Sequence, residues 1–175
     1  MTLRLILTRH AKSGWDAPEL SDHDRPLNAR GRRSAPAIGA WLRDRGHVPK
    51  AALMSTARRV AETWDGLGLE PDVETVTRDA KLYLSAPETL LDGLADQSAD
   101  RVILIAHNPG MASLAQWLTE DPPQNDAFDR FPTCATLVLD FDADRWSAIQ
   151  PLSGRLVDFI VPGDLLDGAA PRRAD

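Results

Sequence analysis

The chain has 175 residues, a formal net charge of −6, 43% hydrophobic and 26% charged residues. That length suits a single domain with a full-sized core. The acidic balance argues against nucleic acid or a membrane surface as the main partner, while leaving room for a locally positive pocket. No apolar run approaches the ~18 residues of a membrane-spanning helix, and the first residues lack a secretory pattern. The single cysteine, Cys134, cannot form an internal disulfide. Together these features predict a cytoplasmic protein, and nothing in them points beyond a monomer.

Leu5, Ile6 and Leu7 predict a buried opening strand over residues 3–8, which ends on Arg9 and His10. Residues 11–27 are polar and proline-bearing and predict a loop. Asn28 predicts the N-cap of a helix over 29–45, with Ala35, Ile38, Trp41 and Leu42 at helical spacing and Gly46 as its stop. Residues 51–54 read as a second strand. Ser55 reads as the cap of a helix from about Thr56, buried through Ala57, Val60, Ala61 and Trp64. Residues 73–77 predict a third strand and 86–97 a helix.

Residues 102–106, VILIA, are the most strand-like segment. His107 follows, then Asn108 as a cap and Pro109 as a first helical residue. Met111, Leu114, Ala115 and Leu118 give the buried face of that helix. Residues 119–133 read as an acidic, proline-rich loop. Three more strands, linked as hairpins with a turn at 142–144, are predicted over 136–141, 146–150 and 156–161. The domain is expected to span 1–162, with 163–175 a flexible tail. Alternating strands and helices predict a single-domain, three-layer α/β/α fold with a mostly parallel central sheet, and antiparallel pairing at or near one edge.

In such a sheet the carboxyl ends of the strands line one edge, where ligands bind. Three strand ends carry unusual residues: Arg9, His10 and Ser13; then Ser55, Arg58 and Arg59; then His107 and Asn108. Converging imidazoles and guanidiniums suit a multiply charged oxyanion, of which phosphate is the commonest. A neutral imidazole can attack phosphorus, and a second imidazole, when protonated, would stabilise charge growing on the phosphoryl oxygens. Such a site needs no metal and no cofactor.

These residues resemble the motifs of the histidine phosphatase superfamily, in its phosphoglycerate-mutase-like branch. The opening Arg-His-Gly motif stands as Arg9-His10-Ala11, followed by Ser13, Trp15 and Asp16. A second motif is matched by Ser55, Arg59 and Thr63, and a third by VILIA before His107. The lack of a cap insertion, and Arg25-Pro26-Leu27 followed by Gly31, look most like the small SixA-type phosphohistidine phosphatases. The resemblance implies that His10 is the nucleophile and that Arg9, Arg59 and His107 bind the phosphoryl group, with Ser13 or Asp16 assisting. Spacing alone does not separate Arg58 from Arg59; the family pattern selects Arg59.

Many members also carry a carboxylate proton donor. None fits here: Lys81-Leu82-Tyr83 and Asn108 occupy the relevant regions, and Glu88 and Asp79 are off pattern. A phosphoester leaves as an alkoxide that needs a proton, whereas a phosphoramidate nitrogen leaves more readily. The expectation is therefore a metal-independent phosphatase acting on phosphohistidine in a phosphorylated protein. A small-molecule phosphomonoesterase or mutase-like enzyme, and a phosphate-binding module without turnover, are the alternatives.

Other motifs fail. Asp140 stands where a cysteine-dependent phosphatase built on Cys134 would need arginine. Asp140-Phe141-Asp142 has Asp144, not Thr or Val, two residues on, and reads as a hairpin turn. Arg25 and Lys12 read as surface charges able to steer phosphate, and His23 and His47 as exposed loop residues.

Overall fold

The structure, a computed structural model, describes residues 1–15 and 18–167. Its strands are β1 (Thr2–Arg9), β2 (Ala51–Ser55), β3 (Thr75–Asp79), β4 (Arg101–Ala106), β5 (Thr136–Asp142) and β6 (Arg155–Ile160). They form one sheet in the order β3-β2-β4-β1-β5-β6. The β3–β2, β2–β4 and β4–β1 pairs are parallel. The β1–β5 and β5–β6 pairs are antiparallel. The single-domain α/β fold with a mostly parallel sheet is thus present, and its antiparallel pairs lie at one edge.

Successive side chains of a strand point to opposite faces. Leu5, Leu7, Leu53, Leu104 and Leu139 build the core on one face of the sheet. Ile6, Met54, Ile103, Ile105 and Val138 build it on the other. Helices α3 (Pro87–Ala95), α4 (Gly110–Leu118) and α5 (Asp126–Arg130) cover the first face. Helices α1 (Ala29–Asp44), α2 (Arg58–Leu67) and α6 (Pro162–Leu166) cover the second. Burial on both faces is why β4 after Arg101, and β1 over Leu5, Ile6 and Leu7, are apolar without interruption. Among the described residues no helix is long and apolar enough to cross a membrane.

Several expectations are corrected. Residues 146–150 are not a strand; Trp146–Ala148 is a 3-10 turn. Trp146 and Ile149 are both buried, and a strand would send residues three apart to opposite faces. The 119–133 stretch holds α5, started by the Asn125 side chain accepting from the Ala127 N–H at 2.8 Å. The expected tail begins with α6, whose Leu165 packs on the second core; residues 168–175 lie outside the described ones. His47 is not exposed but 5% accessible, held between Arg4 and Asp158. Arg4 in turn makes a two-pronged ion pair with Asp140, its partner across β1–β5.

Asn28 does cap α1, its side chain accepting from the Gly31 N–H at 3.0 Å. Gly31 packs directly on the backbone of Lys12, and a Cβ there would collide with the Lys12 carbonyl. That carbonyl also accepts from the Asn28 N–H at 3.0 Å. Helix α1 therefore braces the loop that leaves His10. Gly31→Ala is expected to destabilise the fold by about 1–3 kcal/mol, the usual cost of overpacking, and to lower activity by displacing the loop. Urea unfolding followed alongside turnover checks both effects.

Candidate active site

In the β1–β4 register Arg9 stands opposite Ala106. The next residue of each strand is a histidine. Adjacent parallel strands therefore deliver His10 and His107 to one place, with ring centroids 5.1 Å apart. The His10 N–H is held by the Ala106 carbonyl at 3.1 Å. Ala11, where glycine would be usual, is fully buried and has no positive φ, so alanine fits without backbone strain.

Arg59, in the first turn of α2, is 2% accessible and links both rings. Its Nε–H donates to His10 Nε2 at 3.3 Å, and its Nη2–H to His107 Nδ1 at 3.2 Å. Arg58 instead faces solvent and pairs with Glu62. The structure thus separates the two arginines, and the one in the site is Arg59. The spacing of Ser55, Arg59 and Thr63 also gains a physical reason. Ser55 Oγ accepts from His107 Nε2 at 2.8 Å. Thr63 Oγ1 accepts from the Ala11 N–H at 2.9 Å and donates to the Arg59 carbonyl. Ser55 and Thr63 therefore hold the two histidine segments on either side of Arg59. Ser55 does not cap α2 with its side chain; Ala57 is the N-cap. Pro109 rather than Asn108 caps α4, and the Asn108 amide donates to the Arg130 and Phe131 carbonyls.

The histidines and Arg59 open onto a cavity of about 320 Å³. Among the described lining residues are four cations, Arg9, Lys12, Arg25 and Arg59, and one carboxylate, Asp22. Arg9 donates to the Phe131 carbonyl, and its buried Nε has no partner among the described residues. Ser13 lines the cavity and accepts from Arg25 Nη1 at 2.8 Å. Trp15 lines the cavity and is largely exposed, at its mouth. Asp16 lies outside the described residues. Glu88 and Asp79 are not among the cavity-lining residues; Asp79 accepts from the Lys81 N–H.

Asp22 was missed by the sequence reading. Its Oδ2 accepts from Arg59 Nη2 at 3.0 Å and from the Tyr83 hydroxyl. Its Oδ1 accepts from Arg25, and its backbone carbonyl from Arg59 Nη1. The Asp-x-x-Arg spacing of Asp22 and Arg25 is the one signal that could have found it. Arg25, read as a surface charge, is 8% accessible and belongs to the site. The Tyr83 hydrogen bond, with Arg25 and Arg59, holds the Asp22 carboxyl down at about 2. It is an anchoring anion rather than a proton donor.

The imidazoles are held neutral. A carbonyl can only accept, so the 2.8 Å contact between His10 Nδ1 and the Ala11 carbonyl places the proton on Nδ1. That leaves a lone pair on Nε2. Burial, with the charges of Arg59, Arg9 and Arg25, lowers His10 to about 3. Burial and the neighbouring His10 and Arg59 lower His107 to about 3 as well. The second imidazole is therefore unprotonated at neutral pH.

Stability should follow from these depressed values. Below an ordinary imidazole value of about 6.5 the unfolded chain takes up protons that the folded chain refuses until about pH 3. The stabilisation is complete above 6.5 and lost as pH falls from there towards 3. Two such sites imply a loss of about 4 kcal/mol between pH 8 and pH 5. Denaturant midpoints at those two values test this, and His10→Ala should remove about half of the dependence.

A mostly parallel sheet whose strand ends bring two neutral imidazoles and three arginines around an open cavity defines an oxyanion-binding site. Residues 5–82 match the family model of the histidine phosphatase superfamily (branch 1). An uncharacterized protein of Mycobacterium leprae is 35% identical, over 88% of this chain and 99% of that one. A protein of Agrobacterium tumefaciens provisionally named phosphohistidine phosphatase SixA is 32% identical, covers 92% of this chain and 99% of that chain, and superposes with a TM-score of 0.74. A counterpart of the same provisional name from Nakamurella multipartitia gives a TM-score of 0.77 at 26% identity, over 93% and 97%. The chain belongs to the histidine phosphatase superfamily, and is a histidine-nucleophile phosphatase.

Proposed function

We propose that this phosphatase removes the phosphoryl group from phosphohistidine in proteins, without a metal, with His10 as nucleophile. The observation that carries the reading is the His10 tautomer. Nδ1–H is committed to the Ala11 carbonyl, and the lone pair of Nε2, on which the Arg59 Nε–H rests at 3.3 Å, faces the cavity among Arg9, Arg59 and His107.

In the first step Nε2 attacks phosphorus. The bond from phosphorus to the carrier nitrogen breaks, its electron pair stays on that nitrogen, and the nitrogen takes up a proton from solvent. The Arg59 N–H groups that rest on the imidazoles and Asp22 turn to the phosphoryl oxygens, joined by Arg9, with Ser13 placing Arg25 beside them. A dianion beside His107 favours a proton on its Nδ1, so the ring becomes a donor once the site is filled. In the second step water attacks phosphorus, loses a proton to solvent, and the P–N bond to His10 breaks. Its electron pair returns to Nε2. The net reaction consumes one water and yields free carrier and inorganic phosphate. The cationic charge that a metal supplies to other phosphoryl transfers comes here from guanidinium and imidazolium.

Phosphorus–nitrogen substrates are favoured over esters because the described cavity has no carboxylate able to donate a proton: Asp22 is held ionised. The lone buried thiol of Cys134 suits a cytoplasmic setting, which belongs to the same reading. The test compares a phosphohistidine-bearing protein with sugar and glycerate phosphate esters in the presence of a chelator. Preference for the first supports the proposal. Preference for esters overturns the substrate class, and phosphate binding without turnover of either substrate overturns the catalytic role.

A further inference from the structure

Two large apolar side chains stand in solvent at the mouth of the cavity. Trp15 is 73% accessible and Leu84 52%, and both line it. By contrast, Trp41, Trp64 and Trp146 are buried. Neither mouth residue is a loose end. The Arg25 guanidinium carbon lies 3.6 Å from the centroid of the Trp15 ring. That guanidinium is itself tied to Asp22, Ser13 and the Gly14 carbonyl, so the indole rests on a fixed cation. Leu84 has a φ of +49°, a left-handed conformation that glycine adopts freely and leucine does not. A branched side chain is kept at the mouth despite that cost.

We propose that Trp15 and Leu84 form a subsite for the carrier of the phosphoryl group, selecting a flat aromatic ring, the imidazole of a phosphohistidine side chain, over hydroxyl-rich or anionic carriers. The inference deepens the phosphohistidine reading and rests on it. A flat ring can pack on the indole and the leucine, whereas a sugar would lose hydrogen bonds to water against those surfaces. Charge points the same way. Asp22, held ionised in the cavity wall, repels a carboxylate-bearing carrier such as glycerate. It favours a ring that gains a proton as it leaves. Because both side chains face solvent, a ring still attached to a protein can reach them.

The test uses two substrates with the same kind of scissile bond. One is a phosphohistidine peptide; the other is phosphoramidate, whose carrier is ammonia and has no ring to pack. The ratio of their kcat/KM values is measured for the wild-type chain, Trp15→Ala and Leu84→Gly. The glycine removes the side chain and the backbone strain together, and leaves Arg25 untouched. Each variant is expected to lower the ratio on the order of ten-fold, chiefly through KM for the peptide. Melting temperatures serve as the control on folding. Turnover with an unchanged ratio in both variants overturns the subsite alone. Failure of the wild-type chain to turn over either substrate overturns the phosphohistidine reading and the subsite with it.

Discussion

Replacing His10 with alanine is expected to lower kcat about 10⁴-fold or more, while the chain stays folded and still binds phosphate. Nucleophile deletions in enzymes of this kind leave only the rate provided by binding and charge. The arginines that gather the oxyanion remain in His10→Ala, so affinity for inorganic phosphate falls far less than turnover. The fold tolerates the change because, among the described residues, the imidazole makes two side-chain hydrogen bonds, to the Ala11 carbonyl and Arg59. A brief reaction with ³²P-labelled substrate should leave acid-labile, base-stable label on the wild-type chain and none on the variant. Retention of both label and turnover would move the nucleophile elsewhere, with His107 the first place to look.

The parts of this site that could be read from sequence are those set by strand ends. A run such as VILIA is buried on both faces, and the charged or imidazole-bearing residue that follows it has few structural uses. Arg9, His10 and His107 were found that way, and the β1–β4 register explains why they meet. Arg59 needed more, because residues 58 and 59 differ only by a rotation about the axis of α2; the pattern linking Ser55, Arg59 and Thr63 selected it. Asp22, Arg25 and Tyr83 come together across 61 residues of sequence from loops with no periodicity. Nothing local shows that Asp22 would accept from both Arg59 and Tyr83. The misread strand at 146–150 has a similar cause. Its burial follows one 3-10 turn, too short to show a helical period, and its β-branched and aromatic residues mimic a strand. His47 was misjudged because its partners, Arg4 and Asp158, lie on β1 and β6, far from it in sequence.

Arg59→Ala and Arg59→Lys should both lower kcat/KM on the order of 10³-fold or more, the range seen when an arginine that stabilises phosphoryl transfer is removed. The lysine variant is the sharper test. It keeps the charge, so a site working by net positive potential alone would lose little. The geometry argues otherwise. Arg59 serves His10, His107, and both the carboxylate and the carbonyl of Asp22 from one planar fork. A single ammonium cannot reach those positions together, nor hold two phosphoryl oxygens side by side. The alanine variant carries a second signature. Arg59 is one of the charges that lower both imidazoles, so removing it raises both values towards 6.5. Loss of stability on acidification should then begin from the same point near 6.5 but reach a smaller total, because the folded chain starts to accept protons earlier. Direct titration of the two imidazoles by NMR would show this shift in Arg59→Ala. If Arg59→Lys retained more than about a tenth of wild-type kcat/KM, charge rather than the fork would be what the site requires.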